Sequence, residues 1–263
     1  MNTPNYIDIH SQLQFSQFDA DRDAVIARMR ETDVWTITVG TSPAMSEEAV
    51  ALAEQHDGFF ATVGTHPTDW QAGFDTKLFK RLVENKKVVA VGECGLDYFR
   101  DASTETKREQ KKLFEQHIEL ACKQNLPLML HCRPSKGTMD AYHDALDMLE
   151  SCGRSVRANA HFFVGDIPVA KRFLALGMTM SFDGPITFTH DYDEVIQYLP
   201  QDMLHAETDA PFAAPAPYRG KRSEPVHVIE IVQALARIRG ENDEQLRLQL
   251  IQNAQKTFGL ALA

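Results

Sequence analysis

The sequence predicts an α/β protein of the TIM type, in which residues 1–263 form a single (β/α)8 barrel. Three observations support this prediction. Short apolar runs typical of buried parallel strands alternate with amphipathic helical segments along the whole chain. Eight such strand-helix units follow one another, which favours a closed barrel over an open sheet. The length of 263 residues is usual for one barrel of this kind.

The predicted strands are brief runs of small and β-branched apolar residues. They span residues 6–10, 34–40, 59–64, 88–93, 127–131, 158–161, 178–182 and 203–209. In the first strand the side chains alternate, so that Ile7 and Ile9 share one face while Asp8 and His10 share the other. The run of residues 88–91 is apolar throughout and leads into Glu93, as expected of a strand buried on both faces.

The predicted helices follow the strands and carry apolar residues every three or four positions. The longest places Leu113, Phe114, Ile118 and Ala121 on one buried side. The helices span residues 21–30, a segment opening near 46–48, and then 76–83, 107–124, 139–149, 167–176, 191–198, 225–239 and 243–258.

Polar residues of the kinds that bind metal ions stand at the carboxyl ends of five predicted strands. They are His10, Glu93, His131, His161 and Asp209. Each alone is as well explained by a structural role, but the carboxyl ends of barrel strands converge on one bowl, where active sites lie. Mixed imidazole and carboxylate ligands suit Zn, Mn, or Mg with waters. Two ions about 3.5–4 Å apart, bridged by Glu93, would activate a water and stabilise the leaving oxygen of a phosphodiester.

Other polar residues near these strand ends are candidates for substrate contacts. His66, at the end of the third strand, could donate to a scissile phosphate or be a turn residue held by Pro67. Asp8 could orient His10 or form a buried polar pair. Solvated loop charge explains each basic residue equally well when it is taken alone. Local basic clusters follow the fifth and eighth strands, at Arg133 and Lys136 and at Arg219, Lys221 and Arg222.

The composition limits the class of partner and the compartment. The formal net charge is -10, so a general basic face for duplex nucleic acid is excluded, and a single-stranded end fits better. The four cysteines include no CxxC pair, which argues against a structural zinc site. No leader and no apolar stretch of about 18–20 residues is seen, so we expect a cytoplasmic protein with no membrane contact.

These residues resemble the TatD family of metal-dependent deoxyribonucleases, within the amidohydrolase-like barrels. The Gly-Glu-Cys-Gly-Leu-Asp-Tyr and Glu-Thr-Asp-x-Pro strings are specific to that family. The resemblance implies two divalent ions bound by the five residues named above, catalytic roles for Asp209 and Glu93, and exonucleolytic cleavage of DNA. The segments that carry it are residues 7–10, 64–67, 91–98, 127–133, 160–162 and 207–211.

Two further points come from the resemblance. Arg222 and Glu224 lie in Arg-Ser-Glu-Pro, which is similar to the family's Arg-Asn-Glu-Pro and implies substrate contacts. The family's first motif, His-x-His, is here His10-Ser11-Gln12. Because a neutral amide is a weaker ligand than imidazole for a borderline metal, we expect the ion near His10 and Asp209 to be weakly held, or to be a harder ion such as Mg.

Three functions therefore stay open. The first is an exonucleolytic, metal-dependent DNase acting on single-stranded DNA or DNA ends. The second is a small-molecule or acyl-ester metallohydrolase, since the same barrel and metals serve both chemistries. The third is a catalytically weakened member that binds DNA or protein, because of Gln12. We expect a monomer or a weak homo-oligomer.

Overall fold

The strands form one parallel sheet in which each pairs with the next along the chain. A computed structural model describes residues 3–152 and 156–260. The sheet order is β1 to β8 without interruption, which confirms the predicted (β/α)8 barrel. The strands are β1 Tyr6–Ser11, β2 Val34–Val39, β3 Phe59–Val63, β4 Val88–Asp97, β5 Leu128–Arg133, β6 Ala158–Ala160, β7 Thr179–Phe182 and β8 Leu204–Ala206.

In the described ranges, helices lie between successive strands, and two more follow β8. Several begin with a side-chain cap, as where Ser42 accepts a hydrogen bond from the backbone of Met45. None of the helices in the described ranges is long and apolar enough to cross a membrane. The helices are α1 Arg22–Thr32, α2 Pro43–Glu54, α3 Thr76–Leu82, α4 Thr104–Gln124, α5 Asp140–Ser151, α6 Ile167–Ala175, α7 Asp193–Tyr198, α8 Val228–Arg239 and α9 Asp243–Phe258.

The barrel closes where the segment after β8 meets the end of β1. Ser11 and Ala210 form an isolated parallel bridge. The backbone N–H of Gln12 donates to the carbonyl of Ala210 at 2.7 Å, and the N–H of Asp209 donates to the carbonyl of His10 at 2.9 Å. His10 and Asp209, which the sequence places on the first and the last strand of the barrel, are therefore joined through their backbones.

Strand β4 is longer than predicted, because it continues beyond Glu93 to Asp97. Its pairing with β5 shifts register between Val91 and Cys94, and then runs on to the end of both strands. Gly95 makes this close pairing possible: its φ is +134°, and a Cβ there would lie 2.2 Å from the carbonyl oxygen of His131. The extension brings a second carboxylate, Asp97, to the same end of the barrel as Glu93.

Candidate metal centre

The carboxylate of Glu93 lies at the centre of the group that the strand ends bring together. Its Oε1 is 2.9 Å from Nδ1 of His131 and 3.0 Å from Nε2 of His161. Its Oε2 lies 3.5 Å from Nε2 of His10. Burial would raise the pKa of Glu93, but the positive charge of neighbouring imidazoles, first that of His161, holds that pKa well below its usual range. Glu93 is therefore an ionised carboxylate among three imidazole rings.

A chain of buried hydrogen bonds fixes the orientation of His161. Asn159 donates through Nδ2 to the Ser181 hydroxyl at 2.7 Å, and this hydroxyl donates to Glu207 Oε2, also at 2.7 Å. The backbone N–H of Phe162 donates to Glu207 Oε1 at 2.6 Å. Since Glu207 accepts from each of these groups, Nδ1–H of His161 donates to it as well, at 3.2 Å. The Nε2 lone pair of His161 is then left facing Glu93.

Asp97 fixes the orientation of the His131 ring in the same way. Its Oδ2 lies 3.2 Å from Nε2 of His131, while its Oδ1 accepts from the backbone N–H of Phe99 at 3.0 Å. With the proton of His131 on Nε2, the lone pair on Nδ1 faces Glu93. It also faces Nε2 of His161 at 3.3 Å.

When each ring carries a single proton, three acceptor atoms converge: Glu93 Oε1, His131 Nδ1 and His161 Nε2. Their mutual distances of 2.9, 3.0 and 3.3 Å are those of a group that could hold a metal ion. Burial would lower the pKa of His161, but the charges of Glu93 and Glu207 raise it well above its usual value. The site thus attracts positive charge, and two imidazoles with one carboxylate suit a divalent ion such as Zn or Mn.

A second group lies on the other side of Glu93. His10 Nε2 is 3.6 Å from Asp209 Oδ1 and, as given above, 3.5 Å from Glu93 Oε2. Gln12 is buried beside them, with its amide Nε2 2.9 Å from His10 Nε2 and 3.2 Å from Asp209 Oδ1. The amide oxygen of Gln12 and Nδ1 of His10 are buried without hydrogen-bond partners among the described residues. An amide donor here faces the atoms that would ligate a second ion.

His66 adds a hydrogen-bond donor of known position to the group around Glu93. The backbone N–H of Thr68 donates to its Nδ1 at 3.2 Å, so the neutral ring carries its proton on Nε2. That Nε2 lies 3.4 Å from Glu93 Oε1. Burial, reinforced by the charge of His131, lowers the pKa of His66 to about 3, so this ring is a neutral donor.

The residues predicted as metal ligands and His66 are thus brought together, whereas the other predicted substrate residues contact groups outside that cluster. Arg133 ends β5 and is exposed. Arg222 is paired with Asp21 at 2.7 Å and with Glu224 at 3.2 Å, and Glu224 also pairs with Arg28. These pairs join the loop after β8 to α1 and to Asp21 just before it. Substrate binding by Arg133, Arg222 and Glu224 stays a prediction.

The expectation that Asp8 orients the His10 ring is wrong. Asp8 accepts from the backbone N–H of His10 at 3.2 Å, and from the N–H and hydroxyl of Thr208 at 2.9 and 2.6 Å. The ring Nδ1 of His10 has no partner among the described residues. Asp8 instead links β1 to the segment after β8, because its carboxylate is saturated by groups on both sides of the closure.

The sequence reasoning missed Asp97 and Glu207. Both stand an even number of residues from a predicted ligand: Asp97 four after Glu93, and Glu207 two before Asp209. Side chains at even spacing in a strand point to one face, so this alternation was the signal available. Ending the predicted strand at Glu93 removed Asp97 from consideration.

Comparison with known proteins agrees with this geometry. The family model described as TatD related DNase matches residues 7–259. The uncharacterized metal-dependent hydrolase YabD of Bacillus subtilis is 35% identical over 257 residues, which cover 95% of this chain and 98% of that protein. A protein of Pantoea ananatis named 3'-5' ssDNA/RNA exonuclease TatD is 35% identical over 266 residues, covering 96% and 99%.

Solved structures agree on the fold. The TatD homolog YJJV from Escherichia coli superposes with a TM-score of 0.88 at 26% identity, covering 98% of this chain and 100% of that one. A phosphotriesterase homology protein from the same organism superposes with a TM-score of 0.67 at 14% identity over 98% and 100%, a likeness in fold alone. Because the family match and both relatives span almost all of the sequence, the chain belongs to the TatD family and is a metal-dependent hydrolase acting on ester bonds.

Proposed function

We propose that this protein is a metal-dependent exonuclease that hydrolyses the phosphodiester bonds of single-stranded DNA. The observation that carries the proposal is the position of Glu93, whose two oxygens face different imidazole groups. Oε1 faces His131 and His161, and Oε2 faces His10. Glu93, His131 and His161 would hold one divalent ion, and Glu93, His10 and Asp209 would hold a second. Relatives named 3'-5' ssDNA/RNA exonuclease support the substrate class.

Divalent ions at such positions polarise a phosphate and lower the pKa of an attacking water. The residues of the chain supply the remaining steps. The Asp209 carboxylate is 13% exposed against 4% for Glu93, so it is the acidic group nearer to solvent. We assign to it the positioning of the attacking water and acceptance of its proton. His66 presents Nε2–H beside Glu93 and would donate to a non-bridging oxygen of the scissile phosphate.

The test is cleavage of a single-stranded oligonucleotide labelled at its 5′ end, with Mg or Mn added and with EDTA as the control. Progressive shortening from the 3′ end, abolished by EDTA, is the expected result. A second oligonucleotide with a blocked 3′ end separates exonucleolytic from internal cleavage. If the labelled strand stays intact under every metal condition while the protein is folded and loaded with metal, the proposal fails.

Gln12 favours one alternative, a member that binds nucleic acid but cleaves it poorly. Its amide N–H groups face His10 and Asp209, where a cation would otherwise bind. The comparison that decides is Gln12→His in the same cleavage assay. If the variant cleaves and the parent chain only binds, the alternative replaces the proposal. If both cleave and differ only in rate or metal preference, Gln12 tunes an active nuclease.

A further inference from the structure

Large apolar side chains are exposed at few places in the described part of the chain. They are Phe99, Phe188, Tyr198, Phe212 and Leu248, each between 41% and 50% exposed. Three of them, the phenylalanines, lie in loops that leave the carboxyl ends of β4, β7 and β8. These loops surround the candidate metal centre. Exposed phenylalanine rings grouped around one site indicate a ligand with flat apolar faces.

Phe99 is linked to the candidate metal centre through Asp97. Its backbone N–H donates to Oδ1 of Asp97 at 3.0 Å, and Oδ2 of Asp97 contacts His131 at 3.2 Å. The guanidinium of Arg133, two residues after His131, lies 4.0 Å above the centroid of the Phe99 ring. Phe99 is still 50% exposed, so the arginine leaves much of the ring open to solvent.

A second pair of the same kind lies in the loops that follow β7 and β8. The guanidinium of Arg219 lies 3.9 Å above the centroid of the Phe188 ring. The loops that carry these two residues are joined, because the backbone N–H of Ala216 donates to the Thr187 hydroxyl at 2.7 Å. Phe188 follows β7 and Arg219 follows β8, so that β6 separates this pair from β4 and β5 in the sheet order.

Phe212 lies two residues after Ala210, which forms the bridge at the barrel closure. Its backbone N–H donates to the carbonyl of Asp209 at 2.8 Å, so the ring is held three residues from a candidate ligand. Phe15 packs against it edge-on, with the centroids 6.4 Å apart. The ring remains 49% exposed.

We propose that Phe99–Arg133 and Phe188–Arg219, called here the rim pairs, bind unpaired nucleobases of a single strand on two sides of the metal centre, with Phe212 as a third ring. This inference rests on the proposed function and names how its substrate is held. An aromatic face stacks on any base, and an arginine beside it reaches the phosphate backbone. Bases within a duplex are already stacked on each other, so the rim pairs select single strands. An acidic chain with a charge of -10 also gains more from local stacking than from general attraction to phosphates.

The experiment is a fluorescence anisotropy titration of the full chain, without added divalent ion so that no turnover occurs. The probes are a labelled single-stranded oligonucleotide and an abasic strand of the same length and charge. Removing a ring by Phe99→Ala or Phe188→Ala is expected to weaken binding of the normal strand roughly 5- to 100-fold. The abasic strand should bind weakly to every variant, with no further loss. Phe99→Trp, which keeps a stacking face, should retain affinity.

Tyr198→Ala is the matched control. Tyr198 is also an exposed aromatic, with Lys171 Nζ 5.6 Å above its ring, but it ends α7 and so precedes β8 instead of following it. The Tyr198→Ala variant should bind the normal strand with the same affinity as the parent chain. The inference is overturned if the Phe99 and Phe188 variants bind normally, or if they lose as much affinity for the abasic strand. Since cleavage is measured separately, an active nuclease with unaltered variant binding would refute the stacking sites and leave the proposed function standing.

Discussion

The amide nitrogen of Gln12 lies 2.9 Å from Nε2 of His10, and the amide oxygen has no hydrogen-bond partner within the described ranges. A buried amide oxygen without a partner is costly. The nitrogen meanwhile donates to His10 and to Asp209. A half-turn of the amide would present the oxygen instead. Occupation of this side of Glu93 by a cation thus requires that the amide hydrogen bonds be given up first.

Replacing the Gln12 amide with imidazole should raise the affinity for one of the two divalent ions and leave the affinity for the other unchanged. For Gln12→His we expect the weaker of two divalent ions to bind at least about tenfold more tightly, because a ligand replaces a donor. The ion beside His131 and His161 should keep its affinity. Calorimetric titration of Mn into the metal-free protein measures both. Gln17→His, at an exposed position on the same loop, is the control for adding a histidine. Equal titrations for the parent and Gln12→His would contradict this prediction.

Glu207 should contribute to metal affinity without being placed as a ligand. In Glu207→Gln the imidazole of His161 loses the carboxylate that fixes its tautomer. We expect the divalent ion next to His161 to bind about 10- to 100-fold more weakly. Electron paramagnetic resonance of free Mn gives the affinity with no substrate present. Circular dichroism shows whether the variant is folded, and a folded variant with unchanged affinity would rule out the role.

Stability should fall in mild acid through His117. Its Nε2 accepts from the backbone N–H of Thr65 at 2.9 Å, and burial lowers its pKa to about 4. An unfolded histidine titrates near 6.5, so the unfolded chain binds more protons between these values, and stability is lost as the pH falls through that window.

The size of that loss can be measured against a variant that does not titrate. Between pH 7 and pH 5 we expect the parent chain to lose about 2 kcal/mol more of unfolding free energy than His117→Gln loses. Urea titrations at the two pH values give the difference. Equal losses would mean that His117 is charged in the folded protein as well.

Gly95 should be intolerant of a side chain. In Gly95→Ala the new Cβ would meet the carbonyl oxygen of His131 at 2.2 Å, in a backbone conformation with φ of +134°. We expect a loss of about 3 kcal/mol or more in unfolding free energy, since strain and overlap add. Gly177→Ala is the matched variant: its φ is +70°, but no atom lies within 4 Å, so a loss of about 1 kcal/mol is expected. If urea denaturation showed equal losses of unfolding free energy for the two variants, overlap with the His131 carbonyl oxygen would be excluded as a cause.

The barrel and its five candidate ligands could be predicted because apolar runs mark strands and because parallel strands must share an edge. Asp97 needed the true extent of β4, and Glu207 needed the alternation of side chains along the predicted strand of residues 203–209. The pairing of Arg222 with Asp21 joins residues 201 positions apart, and no local pattern encodes it. The orientation of the Gln12 amide depends on His10 and Asp209 together, and so became visible only in three dimensions.

The barrel closure has a consequence for the dynamics of the molecule. Beyond the Ser11–Ala210 bridge, the described backbone shows few links between β1 and the segment after β8, and these flank His10 and Asp209. A cation bound by both of those side chains would link β1 to the segment after β8. The backbone amides of Gln12 and Asp209 should then exchange hydrogen for deuterium more slowly when divalent ions are present. The concentration of divalent ion would thus control how often β1 separates from the segment after β8.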